Sequence, residues 1–512
     1  MQKRRYDALI HHGNEVSLEL KQHEKKLRLS PLMPNHILAC LDADNWYGAY
    51  IRCLGHPYEC NPIIDSNCER VVHDTPLGIA CRKFSNTTIF FNSNGFPISV
   101  PQHEIIKTLY YASPMQLKCK QGVAGRTPLV DVLCNQESNF HMAKFFIDAD
   151  CSTSMPMALL SVDSDGLSPI HHLISQIHKK RATAREKEAL KIIQYIVDKC
   201  PSTLKNEVDM EKKTQNISPL IHLLSQNQGS SKTTENHELH TAPIVQCAEF
   251  LLSRNKKLIL SKSTMTSCTP IHMALRNGFG HNHTLVKLLL ENDPDGIQVQ
   301  TKNSFGDHPL HVAATVGIPI KSLQILLEHI LLTTTVVTSL DNTPGCDIQQ
   351  PNTLLWSRNR FNLTPVHLMW MRRVHGFRPY PMSYTKCLNL TQRLSFYYDG
   401  LSGAIKEISS SLDDNSSTTT IEKAALDVLG PFWDNIVIMF KSIHSSLTGD
   451  SAPLTQSNCL FLHAACALLG TSLPRPFIDL ALLIYSNNIS KADTKGRGAL
   501  HYGKYWVPAC HD

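Results

Sequence analysis

Histidine is the residue through which this chain could most readily do chemistry. It holds 26 of them, and seven, His171, His222, His272, His311, His367, His463 and His501, fall at what reads as one repeated position. The strings that carry them are Ser168-Pro169-Ile170-His171, Thr269-Pro270-Ile271-His272, His308-Pro309-Leu310-His311 and Thr364-Pro365-Val366-His367. Looser copies run through Ser218-Pro219-Leu220-Ile221-His222, Phe461-Leu462-His463 and Gly498-Ala499-Leu500-His501, with Thr75-Pro76-Leu77 and Thr127-Pro128-Leu129 sharing the opening. An imidazole can act as a general base or a metal ligand, but periodicity alone accounts for these seven. They read as structural joints.

The clusters that depart from the period make thin cases for chemistry. Cys459, His463 and Cys466 would set sulfur, nitrogen and sulfur along one helix, yet a closed structural zinc site takes four ligands, and only remote residues such as His501, Cys510 or His511 could complete it. His171-His172 with His178, and His281 with His283, lack the Glu of a His-Glu-x-x-His metal site. A serine nucleophile elbow, a phosphate-binding Gly-rich loop ending in Lys-Ser/Thr and a kinase catalytic string are absent. The expectation is no catalytic residue, no metal and no cofactor.

The elements that position the histidines are written into the same strings. A Thr or Ser before Pro starts a helix: the hydroxyl accepts an orphan backbone N–H, and proline at the first helical position loses no bond and supplies the required φ. Ile170, Ile271, Leu310 and Val366 should then point inward. The histidine beside each sits in the first turn, able to bond the cap hydroxyl or a loop carbonyl and so to fix one repeat against another. Upstream, Asp163 and Gly166, Asn303 and Gly306, Asp493 and Gly496, and Asn359 and Asn362 stand at constant offsets from their caps, as a repeated turn needing positive φ requires. Downstream, Leu190, Ile193 and Ile196, then Phe250, Leu251 and Leu252, then Leu285 to Leu290, then Leu323 to Leu327, mark a second helix whose wide apolar face needs neighbours on more than one side.

These units resemble ankyrin repeats, whose pattern is Thr-Pro-Leu-His-x-Ala in the first helix and a Leu-Leu-rich second helix. Gly306-Asp307-His308-Pro309-Leu310-His311-Val312-Ala313-Ala314 is the best match, with His308 in place of the usual threonine; Thr269 to Ala274 and Leu462 to Cys466 follow. The resemblance implies an all-α helical-hairpin solenoid of about nine or ten stacked pairs, with long loop insertions. It implies binding of a protein partner of unknown identity through turn tips and exposed first-helix faces. Arg126, Asp165, Asp307, Asn362 and Arg497, just before the first helices, are the candidate contacts. The function so implied is that of a scaffold or adaptor. The alternative is a regulatory repeat region of a larger enzyme or channel whose effector domain lies after residue 512.

Organisation along the chain follows where the pattern holds. Residues 1–29 read as a leader or capping segment and 30–370 as the repeat array, opened by a degenerate unit at Pro34 to Cys40 whose helix runs on through Trp46 and Tyr47. Proline spacings above the usual unit of about 33 residues place extra loops at Phe84 to Gln102, Asn206 to Asn216, Gln226 to Thr241 and Leu332 to Asn359. Residues 371–430 read as an irregular insertion with a disordered loop near 400–420, and 431–512 as resumed repeats, incomplete at the C-terminus. Formal charge is only +6 over 512 residues, with short basic runs and no reading module, so specific nucleic-acid binding is not expected. No apolar run of about 18 residues supports membrane insertion. The sixteen cysteines are scattered as free thiols suited to a reducing, cytoplasmic or nuclear compartment.

Overall fold

The computed structural model describes residues 36–61, 74–84, 90–91, 97–98, 101–135, 140–177, 183–204, 217–226, 237–338, 353–355, 357–366, 368–369, 403, 406, 410, 431–448, 461–467, 481–482, 485, 489–492, 496–499 and 501. The fold is an all-α repeat solenoid, divided into two compact units, Met1–Leu223 and Leu224–Asp512.

Each hydroxyl-proline pair opens a short helix. Thr75, Thr127, Thr269 and His308 all hold an extended N-cap conformation, and the proline that follows sits in the first helical turn. The helices so started are Pro76–Lys83, Pro128–Cys134, Pro169–Ile177 and Pro219–Ser225, then Pro270–Arg276 and Pro309–Val316. The inward residues are buried as expected, with Leu77, Leu129, Ile170, Ile271, Leu310 and Val366 all in the core.

A longer helix follows each first helix in the chain. In the first unit these are Gln102–Ala112, Phe140–Cys151 and Thr183–Lys199. In the second they are His237–Arg254, His283–Glu291 and Ile320–Thr338. First helices stack on first helices and second on second: Pro76–Lys83 on Pro128–Cys134 and that on Pro169–Ile177, and Pro270–Arg276 on Pro309–Val316 beside His283–Glu291 on Ile320–Thr338. Phe146, Ile106 and Ile193 fill the core of the first unit, Phe279, Leu285 and Leu326 that of the second. A hairpin standing alone would leave one of these faces wet; stacking removes it from water.

Pro431–Thr448 and Phe461–Ala467 also belong to the second unit. The former packs on both Ile320–Thr338 and Phe461–Ala467, burying Ile436, Met439 and Phe440. The leader at 1–29 lies outside the described residues, as does the loop near 400–420 apart from 403, 406 and 410, whose backbone is helical.

Three local features differ from the sequence reading. The opening helix does not run through Trp46. It stops at Asp42, Asp44 turns the chain at φ 58°, and a new helix, Trp46–Gly55, starts with the Asn45 side chain accepting the Gly48 N–H at 2.8 Å. Within the insertion 84–102, Phe90–Phe91 pairs antiparallel with Pro97–Ile98. Most second helices are also followed by a helical turn that the apolar periodicity does not announce: Pro114–Lys118, Met157–Leu160, Pro201–Leu204, Lys256–Leu260 and Ile297–Gln300. Two of these turns carry a fully buried glutamine. Gln116 Oε1 accepts the Leu77 N–H at 2.9 Å, and Gln298 Oε1 accepts the Ile271 N–H at 3.1 Å. Each satisfies a first-turn donor that has no helical partner.

Candidate functional site: the histidine joints and the row of turns

The repeat histidines make two bonds at once. At His272 the backbone N–H of Thr269 donates to Nδ1 at 3.3 Å, the Thr269 hydroxyl lies 2.8 Å from the same nitrogen, and Nε2 lies 3.0 Å from the carbonyl of Asp307. A backbone N–H can only donate and a carbonyl can only accept, so Nδ1 is bare and Nε2 carries the proton. His171 repeats the arrangement with Ser168 and the Ile217 carbonyl, and His311 with the His308 N–H and the Ser357 carbonyl. His463 Nε2 donates to the Arg497 carbonyl at 3.0 Å, and exposed His501 accepts the Gly498 N–H at 3.0 Å. The rings of His171, His272, His311 and His501 cap their own helices, and the buried rings, His463 included, reach the approach of the next.

Burial suppresses the protonated form. It pushes His171 and His311 down to about 4 and His272 to about 3, and it pushes the cap His308 to about 4. An imidazole with both nitrogens committed and a pKa this low is a poor proton shuttle at neutral pH.

His222 does not share the joint position. It stands four residues after its cap Ser218, where the others stand three after theirs, so Ile221 takes the joint slot and is buried there. The extra residue rotates His222 about 100° around the helix. It packs edge-on to His171 at 5.1 Å between centroids and bonds the Ser175 hydroxyl through Nε2 at 2.9 Å. In the Thr75 repeat glycine occupies the slot, and an amide replaces the ring: Gln121 Oε1 accepts the Thr75 N–H at 3.0 Å across the space that a side chain on Gly78 would fill. His367 lies outside the described residues.

The turns before the caps form the second part of the site. Asp163 Oδ1 accepts from the N–H groups of Asp165 and Leu167, Asn303 Oδ1 from those of Phe305 and Asp307, and Asn359 Oδ1 from those of Phe361 and Leu363. Gly166, Gly306 and Gly496, at φ 77°, 77° and 74°, and Asn362, at 61°, take the left-handed position that the spacing implied. Successive turns are then bonded to one another, each N–H four residues before a cap donating to the carbonyl three residues before the preceding cap. In the first unit Ser164 donates to Ala124; in the second, Ser304 donates to Thr266 and Arg360 to Phe305. Gly306 sits where this approach is closest, since a Cβ there would lie 2.8 Å from the Arg360 nitrogen.

This geometry sorts the candidate contacts. Asp165 and Asn362 are exposed, Asn362 accepting from Arg358 Nη1 at 2.6 Å. Arg126 is half-buried, its Nε 4.0 Å from the Asp163 carboxylate. Arg497 is half-buried and gives its carbonyl to His463. Asp307 is corrected: it is 1% exposed, its carboxylate accepts the Asn359 amide at 2.7 Å, and its place is inside the row of turns. Residues one or two before a cap sit at the foot of the turn; the tip lies three or four before it. Val123, Met265 and Arg360 hold that place, all exposed. The offset between the turn Asx and its glycine could have located them.

Ser267 occupies the left-handed position of its own turn at φ 51°, where its counterparts are mostly glycine. A Cβ in that region costs about 1 kcal/mol. Ser267→Gly is therefore expected to stabilise the second unit by about 1 kcal/mol, read as a raised urea midpoint at unchanged slope.

Among the described residues no group of three or more His, Cys, Asp or Glu is placed to hold a metal ion, and no helix is long and apolar enough to cross a membrane. Residues 239–336, which include the His272 and His311 joints, match the family model for ankyrin repeats in three copies. A putative ankyrin repeat protein of Rickettsia bellii (strain RML369-C) is 36% identical over 80 residues, 16% of this chain. The chain spans 30% of that relative's length.

Proposed function

Because the chain is an ankyrin-repeat protein, we propose that it is a scaffold or adaptor that recognises a protein partner through the tips of its bonded turns and the open faces of its first helices. Ankyrin repeats generally serve as protein-protein interaction modules. The observation that carries the reading is the backbone-bonded row of turns, which holds exposed side chains in fixed register at little entropic cost on binding. In the second unit the row presents Met265, Lys302, Arg358, Arg360 and Asn362. An apolar anchor and three cations in that order suit a partner with an acidic, partly apolar surface. No catalytic step is assigned to the repeats, whose joint histidines His171, His272 and His311 are spent on internal bonds.

Affinity capture with the full chain, followed by chemical cross-linking, tests this. Replacing Met265, Arg358 and Arg360 together by Ser, Gln and Gln is expected to weaken capture of a specific partner at least tenfold while leaving the urea midpoint in place. Cross-links confined to residues outside both sets of turns, with capture unchanged in the triple variant, would overturn it.

A further inference from the structure

Cys53, near the end of helix Trp46–Gly55, and Cys60, at the end of the turn Pro57–Cys60, bring their sulfurs to 3.5 Å in the interior of the first unit. We propose that this pair is a reversible modification site, a dithiol that an external disulfide of the glutathione type closes into an intramolecular disulfide. The sulfurs are already in van der Waals contact, so rotation of two short side chains and a small shift of the turn bring them to bonding distance, about 2.0 Å. The segment that would be clipped is held on both sides. Arg52 grips Glu59 Oε1 through Nε at 2.9 Å and Nη2 at 2.6 Å, while Glu59 Oε2 accepts the Ile37 N–H in the first turn of helix His36–Asp42 at 3.3 Å. A bond between Cys53 and Cys60 would thus fasten the residue that joins helices His36–Asp42 and Trp46–Gly55.

The reaction balances as two exchanges. One protein thiolate attacks the external disulfide, forming a mixed disulfide and releasing one small thiol; the second displaces the other small thiol. Two electrons pass from the protein sulfurs to the external disulfide, whose two halves leave with the two thiol protons. Burial and the S–H···S contact both hold the Cys60 thiol in its protonated form, so the closed state is inert and exchange proceeds through opening of the Pro57–Cys60 turn. The oxidation rate should accordingly level off as the oxidant is raised.

The test uses the full chain equilibrated over a series of oxidised-to-reduced glutathione ratios, then acid-quenched, alkylated under denaturing conditions and cut with trypsin. Cleavage after Arg52 and Arg70 leaves Cys53, Cys60 and Cys68 in one peptide. The expected product lacks two hydrogens, escapes alkylation at Cys53 and Cys60 and carries the label on Cys68. It should persist in Cys68→Ser and vanish in Cys53→Ser. Amide exchange in helix His36–Asp42 should slow at least about tenfold in the oxidised form. Alkylation of all three thiols at every ratio, or fragmentation placing Cys68 in the bond, would overturn the proposal.

Discussion

Replacing His272 by alanine should lower the stability of the second unit by about 3 to 5 kcal/mol. One buried donor, the Thr269 N–H at the helix start, is orphaned at a cost of about 1 to 3 kcal/mol, and the Asp307 carbonyl in the next turn loses one of its two bonds, keeping that from the Asn303 N–H. The ring is fully buried, so its removal also leaves a cavity. Repeat arrays couple nearest neighbours, and the carbonyl that His272 holds leads into the His308 helix, so both repeats should loosen together. Gln121, which serves the Thr75 cap with an amide oxygen, indicates that His272→Gln should recover part of the loss. His501→Ala is the contrasting case. His501 is exposed and water can replace its bond to Gly498, so less than about 1 kcal/mol is expected there. Urea titrations followed by circular dichroism separate the three variants, and an unchanged midpoint for His272→Ala would remove the joint from the account of stability.

What the sequence makes legible is whatever repeats with a fixed offset. The cap, the proline, the inward aliphatic and the left-handed turn position were all readable because each rests on a local rule that acts within about five residues. Even Asn362, the one asparagine standing in for glycine, takes the φ its spacing called for. What was lost needs distance in sequence. Gln298 reads as a polar residue in an exposed turn, yet it is fully buried because the first helix of its own repeat, 27 residues earlier, leaves a donor facing it. Asp307 reads as a surface charge beside a cap. Its burial follows from Asn359, 52 residues on, whose amide replaces water at the carboxylate. His222 failed for a different reason: the match was made on composition, and one extra residue moved the ring to another face of the helix. Of the candidate contacts Asp165, three before its cap, falls at a tip, whereas Arg126, Asp307, Asn362 and Arg497 stand one or two before theirs, because the turn projects the residues three or four positions away.

The same joints make the second unit acid-sensitive. His272, His308 and His311 titrate near 3 to 4 when folded, against about 6.5 for an ordinary histidine. As the pH falls below about 6.5 the unfolded chain takes up these protons and the folded chain does not, so unfolding gains in proportion to the proton difference. Each histidine contributes a slope of about 1.4 kcal/mol per pH unit until its folded value is reached. Asp293 works in the opposite sense. Burial raises its carboxyl to about 6 even though the Ile297 and Gln298 N–H groups bond it, so between about 6 and 3.8 the folded state is the one that holds the extra proton. Three uptakes less one bring the net slope to roughly 3 kcal/mol per pH unit between about pH 5.5 and about pH 4.5, reached from a shallower onset near about pH 6.5, and His329, which burial also lowers, acts in the same direction. The first unit should respond less. Burial depresses His171 to about 4 and lowers His172, and these two are offset by Asp131, raised to about 6, and by Asp150, raised as well. Amide exchange measured from pH 7 to pH 5, corrected for the intrinsic rate, should show protection collapsing around Pro270–Arg276 and Pro309–Val316 while Pro128–Cys134 and Pro169–Ile177 hold. Equal loss in both units would mean that the histidines of the second are protonated without breaking their bonds to the caps, which the bare Nδ1 facing each backbone N–H does not allow.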